Sequence, residues 1–281
     1  MTTPPLEGFL LAAGLGTRMG ALSACLPKPA WTLRGRPLLQ WGAEALRRGG
    51  AGRLGCNAHL HPARLRAVAE GLEVFDEPRL LGSAGGLLHA RGRVAAELLV
   101  WNADIWAAAV PFDRLRAAHR ALAEDAAAAV TWLLVPHPGG PWNPVWLDDR
   151  DRILPKGVTG PRGPFHFTGA AAWSPGALAL LPEGPSEMDA LRPRLDPHLG
   201  VVVEPFPWRE IGTPDALLQA AAELAPDQEG RRPGCYVHPE AVPAGRLTRC
   251  ILGPGAAPPP SITDADALWF AAGGNQVRLG L

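Results

Sequence analysis

The segment FLLAAGLGTRMGALSACLPKP, residues 9–29, is the most informative in the sequence. It begins as a short apolar strand and then turns glycine-rich, where Gly14 and Gly16 let the main chain approach a bulky anion. Arg18 follows this loop, and Lys28 stands ten residues later between two prolines. A guanidinium and an ammonium on either side of a bare loop are suited to hold a polyphosphate. The stretch therefore predicts a phosphate-binding loop after the first strand.

Two familiar glycine motifs do not fit this loop. A P-loop ends in Gly-Lys-Ser/Thr, and that ending is missing here. The dinucleotide fingerprint G-x-G-x-x-G requires a third glycine where Met19 stands, and Gly20 comes one place late. A dehydrogenase is therefore excluded.

Composition narrows the class of protein. The 281 residues can bury a substantial core, and this length suggests one large domain or one domain with an appendage. Lys+Arg and Asp+Glu are both 27, so we expect no nucleic-acid partner and no membrane partner.

The N-terminal residues lack the layout of a signal peptide, and no apolar run reaches the ~20 residues of a membrane span. Four scattered cysteines favour reduced thiols, and a cytoplasmic location is the expectation.

Short apolar segments alternate with helix-like segments as far as residue 135. This βαβα order predicts an α/β fold, Rossmann-like, with a mostly parallel sheet and helices on both faces. Residues 96–104, AELLVWNAD, are the most convincing buried strand. We expect a catalytic domain over 1–226. From 227 to 281 an apolar and Pro/Gly cadence resembles the coils of a left-handed β-helix and predicts a small C-terminal cap, with an irregular Pro-rich tail as the alternative.

The sequence of the glycine loop also resembles a motif of a known family. LAAGLGTRM…LPKP resembles the motif of the nucleotidylyltransferases that join a nucleoside monophosphate to a sugar-1-phosphate, which include mannose-1-phosphate guanylyltransferases and N-acetylmuramate-1-phosphate uridylyltransferases. Four further segments match the family in order and extend the resemblance through residue 225: NAHLHP (57–62), EPRLLGSAGGLLHA (77–90), LLVWNADIW (98–106) and WREIGTPDALLQA (208–220).

The resemblance implies the residues of the site. Arg18, Lys28 and Asp104 are the expected catalytic residues. The nucleotide-binding residues implied are Ala12, Ala13, Gly14, Gly16, Thr17, Arg18, Lys28, Asn57, Gly82, Ser83, Gly85 and Asn102. Those implied for the sugar phosphate are Asn143, Lys156 and Gly169.

A metal follows from the chemistry of this reaction. An oxygen of the sugar-1-phosphate would attack the α-phosphorus of a nucleoside triphosphate, so one polyanion must approach another. Cations held in a fixed geometry reduce this repulsion, and Mg²⁺ bound by carboxylates is a suitable cation. Asp104 ends a buried strand, where open α/β sheets place ligands, and is the first expected metal ligand. Glu210, where the family usually carries Asp, is the second.

Some questions stay open at the level of sequence. A catalytically weak nucleotide or NDP-sugar sensor with the same fold is the alternative function, a homo-oligomer is compatible with the chain, and neither base nor sugar is assigned. Most of the ten tryptophans, such as Trp132 and Trp173, lie in strand-like runs and are predicted to be core. No separate aromatic site is expected.

Overall fold

A computed structural model describes residues 5–140, 142–224, 235–272 and 274–281. Within these residues the helices are α1 (Leu38–Arg48), α2 (Pro62–Val68), α3 (Gly82–Gly85), α4 (Phe112–Asp125), α5 (Pro175–Ala179), α6 (Met188–Leu195) and α7 (Pro214–Leu224). The strands are β1 (Gly8–Leu11), β2 (Thr32–Leu33), β3 (Arg36–Pro37), β4 (Leu54–Ala58), β5 (Leu72–Asp76), β6 (Leu98–Asn102), β7 (Ile105–Ala107), β8 (Val130–Pro136), β9 (Val145–Leu147), β10 (Arg162–Trp173), β11 (Leu199–Val203), β12 (Trp208–Glu210), β13 (Tyr236–Val237), β14 (Arg246–Thr248), β15 (Ile251–Leu252), β16 (Thr263–Ala265), β17 (Ala267–Ala272) and β18 (Asn275–Gly280).

The chain divides into two compact units, each made of separate stretches of sequence. The first unit comprises Met1–Ala13, Gly42–His59 and Gly71–Trp208. The second comprises Gly14–Trp41, Leu60–Glu70 and Arg209–Leu281. The predicted boundary between residues 226 and 227 lies outside the described residues, so the two predicted domains stay a prediction.

The first unit is built on one sheet with the strand order β11-β8-β10-β6-β1-β4-β5, and β9 pairs with β10. Strands β6, β1, β4 and β5 are parallel neighbours, as are β8 and β11. Strand β10 runs antiparallel to both β6 and β8, so those two strands share one direction. The predicted mostly parallel sheet is confirmed, with β10 as the reversed strand inside it.

Apolar patterning accounts for this unit's packing. Strand β6 buries four successive residues, Leu98 to Trp101, as expected of a strand covered on both faces. Helix α4 buries Phe112, Leu115 and His119, which follow one another at three and four residues and so share one face. Trp132 and Trp173 lie in the core cluster, as predicted.

The second unit carries the C-terminal strands. Parallel pairs join β13 to β15, β15 to β17 and β14 to β16, and β18 closes the sheet antiparallel to β17. Their core is a small separate cluster around Leu247, Cys250, Leu252 and Trp269. These strands form the expected small cap, while the left-handed β-helix stays a prediction. None of the helices in the described residues has both the length and the apolar character needed to span a membrane.

Candidate active site

The end of strand β1 is fixed by a buried asparagine. The backbone N–H groups of Ala12 and Ala13 both donate to Asn57 Oδ1, at 2.7 and 3.3 Å. Asn57 stands on β4, beside β1 in the sheet, and is 2% exposed. These two predicted nucleotide-binding positions therefore direct their N–H groups to Asn57, which sets the point where the chain leaves the sheet.

Asn57 in turn is held by Glu77, which is 3% exposed. Asn57 Nδ2 donates to Glu77 Oε1 at 2.7 Å, the Leu81 N–H donates to Oε2 at 2.9 Å, and His89 Nε2 lies 3.6 Å from Oε1. Burial acts to raise the pKa of Glu77, but His89, Asn57 and the Leu81 N–H outweigh it, and the pKa lies below its usual value. The Asn57–Glu77 network thus connects β1 to the start of the LGSAGG segment.

The LGSAGG segment folds as α3 and a following 3₁₀ turn, Gly86–Ala90. Ser83 N–H and Oγ both donate to Glu187 Oε2, at 3.1 and 2.7 Å. The N–H groups of Ala84 and Gly85 donate to the Ser186 carbonyl at 3.0 Å each. The main-chain donors at 83–85 are thus engaged by a segment about a hundred residues away. Sequence reasoning missed Glu187, since a surface glutamate in a polar loop carries no signal.

Asn102 and Asp104 lie where β6 ends, although the predicted strand over 96–104 reaches Asp104 and the observed strand stops at Asn102. Asn102 is the last residue of the strand, Asp104 lies in the turn before β7, and both are partly exposed. Gly169 on β10 faces Asn102 so closely that a Cβ at this glycine would lie 2.7 Å from Asn102 Nδ2. A residue predicted for the nucleotide and one predicted for the sugar phosphate therefore lie side by side.

The other two sugar-phosphate candidates lie on the surface of the first unit. Asn143 is exposed. Lys156 Nζ lies 3.2 Å from Asp189 Oδ2, and both side chains are largely exposed. An exposed pair of this kind adds little stability, so Lys156 can exchange partners readily.

The glycine loop continues in the second unit. Gly14, Thr17 and Arg18 are exposed, and Gly16 adopts a left-handed φ of 63° before the 3₁₀ turn Thr17–Ala24. Ser23 Oγ donates to the Gly16 carbonyl at 2.6 Å, which closes the turn. The loop is therefore fixed locally while its predicted phosphate-binding face lies on the surface of the unit.

Arg18 and Glu210, both in the second unit, form an ion pair. The Arg18 side chain is 58% exposed and that of Glu210 is 14% exposed. Gly212 makes room for the pair, because a Cβ there would lie 2.7 Å from Glu210 Oε1 and 3.2 Å from Arg18 Cζ. A predicted phosphate-binding cation and a predicted metal ligand are thus brought together, which sequence reasoning did not foresee.

The segment that carries Lys28 is supported by the C-terminal strands of the same unit. Tyr236 Oη accepts from the Thr32 N–H at 3.0 Å and lies 2.8 Å from Thr32 Oγ1. Trp31 is fully buried and lies edge-on to Tyr236, with ring centroids 5.5 Å apart. Burial raises the pKa of Tyr236 to about 12. The C-terminal cap therefore fixes the chain immediately after the Lys28–Ala30 turn, a role that its sequence did not reveal.

Comparison with known proteins identifies the family. The MobA-like NTP transferase domain matches residues 8–158, more than half of the chain. The chain belongs to this family. It is 27% identical to the mannose-1-phosphate guanylyltransferase of Mycobacterium tuberculosis, across 91% of this chain and 77% of that protein. It is 28% identical to the N-acetylmuramate alpha-1-phosphate uridylyltransferase of Caulobacter vibrioides, across 80% of this chain and 99% of that protein.

A solved structure shares the fold of this NTP transferase. The crystal structure of HddC from Yersinia pseudotuberculosis matches with a TM-score of 0.63 at 18% identity, covering 78% of this chain and 99% of that one. The family resemblance inferred from the five motifs is confirmed, and so is the nucleotidyltransferase α/β fold.

The predicted magnesium site of this NTP transferase fits in part. Among the described residues there is no group of three or more His, Cys, Asp or Glu side chains that could hold a metal. Asp104 offers a partly exposed carboxylate where β6 ends, which suits Mg²⁺ because this ion keeps waters and substrate phosphates as its other ligands. Glu210 is paired with Arg18. Since Asp104 belongs to the first unit and Glu210 to the second, a shared ion stays a prediction.

Proposed function

We propose that this NTP transferase transfers a nucleoside monophosphate from a nucleoside triphosphate to a sugar-1-phosphate and releases pyrophosphate. The observation that carries the proposal is the alignment with a guanylyltransferase and a uridylyltransferase over 91% and 80% of this chain. Both relatives are named for sugar-1-phosphate acceptors. A likeness over so much of the chain reaches well beyond the nucleotide loop and includes the region of the predicted acceptor residues.

The chemistry needs no general base. A sugar-1-phosphate oxygen, already ionised, forms a new P–O bond at the α-phosphorus, and the bond to the leaving pyrophosphate breaks. Arg18 and Lys28 would bind phosphate oxygens and offset their charge, because an Arg fork and a Lys point charge are both phosphate ligands. The Arg18 guanidinium is 58% exposed, so phosphate oxygens can replace Glu210 as its partner.

Positioning of the two substrates rests on the first unit. Asn102 and Gly169 lie in contact at the end of β6, so a nucleotide at Asn102 and a sugar phosphate at Gly169 would be neighbours. Holding the reactants next to each other removes much of the entropic part of the barrier. Mg²⁺ at Asp104 would supply charge stabilisation on the phosphate oxygens. The cytoplasmic location and a homo-oligomer stay predictions.

The direct test measures pyrophosphate release with Mg²⁺ over a panel of ATP, CTP, GTP, UTP and dTTP against mannose-1-phosphate, glucose-1-phosphate and N-acetylmuramate-1-phosphate. We expect turnover with at least one pair, dependent on both substrates. Binding of a nucleotide or NDP-sugar by calorimetry with no turnover over the whole panel would instead favour the regulatory homologue. Release of pyrophosphate without any sugar phosphate would contradict the acceptor class.

A further inference from the structure

Two cysteines of the second unit lie side by side, although 15 positions separate them in the sequence. Strands β13 and β15 are parallel neighbours with Tyr236 beside Ile251, and one residue earlier this register places Cys235 beside Cys250. The Cys250 N–H donates to Cys235 Sγ at 3.3 Å, and the Tyr236 N–H donates to the Cys250 carbonyl oxygen at 2.9 Å. The two thiols are also hydrogen-bonded to each other. The fold therefore brings together two sulfurs that the spacing of the cysteines did not predict as a pair.

The spacing of this pair suits a disulfide. Neighbouring strands lie ~4.8 Å apart, and residues at the same register position direct their side chains to the same face of the sheet. A disulfide joins Cα atoms ~4.4–6.8 Å apart, so a bond between Cys235 and Cys250 needs little movement of the backbone. The other two cysteines have different surroundings, since Cys56 belongs to the first unit and Cys25 Sγ donates to the Ala21 carbonyl oxygen at 3.8 Å.

The two thiols differ in their access to solvent. Cys250 is 0% exposed and belongs to the core cluster of the cap with Leu252 and Trp269, whereas Cys235 packs against that cluster and is half-buried. Burial also raises the pKa of the Cys250 thiol, which keeps this thiol protonated and unreactive towards dissolved reagents. Cys235 is therefore the sulfur that a reagent meets first, and Cys250 is the neighbouring thiol that can resolve the adduct.

We propose that Cys235 and Cys250 are a redox-sensitive pair, which a low-molecular-weight disulfide oxidises to an intramolecular disulfide. The Cys235 thiol releases its proton to solvent, and its sulfur attacks one sulfur of the small disulfide, from which a thiolate leaves. The Cys250 thiol then releases its proton, its sulfur attacks the Cys235 sulfur of this mixed disulfide, and a second small thiolate leaves. The two small thiolates take up the two protons, so the small disulfide is reduced to two small thiols as the pair is oxidised.

The new bond would act on the segment that carries Lys28. Tyr236 follows Cys235 directly and directs its side chain to the opposite face, where its Oη accepts from the Thr32 N–H. A disulfide at Cys235 fixes the start of β13 and so holds Tyr236 against Thr32. The contact should open less often in the oxidised form than in the reduced form. This proposal holds whichever substrates the protein uses, because no bound nucleotide or sugar takes part in it.

The first test treats the full chain with oxidised glutathione and maps its tryptic peptides, without reduction, by mass spectrometry. Arg246 and Arg249 lie between the two cysteines, so trypsin places them in separate peptides and a disulfide appears as a cross-linked pair. We expect that pair in the wild type and in Cys25→Ser, and its loss on addition of dithiothreitol. Cys250→Ala lacks the resolving thiol and should instead retain glutathione on Cys235.

Three outcomes of this mapping would overturn the proposal. Neither cysteine of the pair reacts, or the wild type retains glutathione on Cys235 without a cross-link, or the cross-links that form join Cys25 or Cys56 instead.

The second test measures hydrogen exchange of the segment around Thr32 by mass spectrometry in the reduced and oxidised forms. Exchange there should slow by about tenfold on oxidation and recover with dithiothreitol, while exchange of β6 in the first unit changes by less than about twofold. Cys250→Ala treated with oxidised glutathione is the control and should show no slowing. Equal exchange at Thr32 in the two forms of the wild type would mean that the disulfide does not secure Tyr236, which contradicts the proposed effect.

Discussion

Two carboxylates of this NTP transferase, Glu77 and Glu210, are each tied to a nitrogen donor, and their surroundings differ. In the first unit Glu77 holds Asn57, and both are almost completely buried. In the second unit Glu210 holds Arg18, whose side chain is 58% exposed. A buried hydrogen-bonded pair is costly to break, whereas an exposed ion pair contributes only ~0–1 kcal/mol. The first pair therefore builds the framework, whereas the second contributes little stability and is the pair expected to exchange partners under the proposed function.

This difference distinguishes buried from exposed residues of the predicted site, which the sequence motifs do not distinguish. The sequence predicts Asn57 as a nucleotide ligand, and this role stays a prediction, while its oxygen accepts from Ala12 and Ala13 and its nitrogen donates to Glu77. Arg18 was predicted as a phosphate ligand and presents its guanidinium at the surface of its unit. Substitution of the buried residue should reduce stability, and substitution of the exposed one should reduce turnover.

Replacement of Asn57 should give the largest effect. Asn57→Ala leaves the Ala12 and Ala13 N–H groups without their acceptor and removes a donor from buried Glu77, so the free energy of unfolding should fall by about 3 kcal/mol. Urea denaturation followed by circular dichroism measures this loss. Asn143→Ala, at an exposed position, is the matched control and should change stability by less than ~0.5 kcal/mol. If Asn57→Ala and Asn143→Ala were equally stable, Asn57 would not support the fold any more than an exposed residue does.

Replacement of Arg18 should act on turnover instead. Arg18→Gln removes a charge from the proposed phosphate site, and kcat/KM should fall about 100-fold while the free energy of unfolding changes by less than ~0.5 kcal/mol. The control is Arg249→Gln, since Arg249 is 55% exposed and also paired, with Asp215 and Asp266. That variant should keep nearly full activity. An Arg18→Gln enzyme that turns over normally, or that unfolds as easily as Asn57→Ala, contradicts the assignment.

Tyr236 tests whether the Lys28 side of the loop also depends on a buried anchor. Tyr236→Phe deprives the buried Thr32 N–H of its acceptor and should cost about 1–2 kcal/mol of unfolding free energy. Val237→Ala, at an exposed neighbouring position, serves as the control in the same denaturation experiment. A loss no greater than that of the control would mean that the C-terminal cap does not support this segment.

Lowering the pH should reduce the contribution of Glu77 to stability, and this is the smallest of the expected effects. The pKa of Glu77 is lowered by folding, so its stabilisation is complete above the unfolded value of about 4.5 and is lost as pH falls through the folded pKa. The stability difference between wild type and Glu77→Gln should therefore shrink below pH 4.5. Denaturant titrations at pH 7 and at pH 4 or lower provide the comparison. A difference that grows on acidification would reverse the assigned sign.

The local features of the fold were predictable, because apolar runs such as β6 and the glycine loop carry their signal within a few residues. The position of Asp104 followed from the rule that ligands gather where parallel strands end. The partners of these residues were not predictable. Glu210 lies 192 residues from Arg18 in the sequence, and Glu187 lies 104 residues from Ser83. Contacts over such separations depend on how the whole chain folds and leave no local pattern in the sequence.

Under the proposed function, the phosphates of the nucleoside triphosphate bind the glycine loop with Arg18 and Lys28. A crystal structure with a non-hydrolysable triphosphate analogue and Mg²⁺ tests it most directly. We expect phosphate density against residues 14–28, with the Arg18 guanidinium moved from Glu210 to a phosphate oxygen. Phosphate density away from this stretch, with the Arg18–Glu210 pair intact, would contradict it.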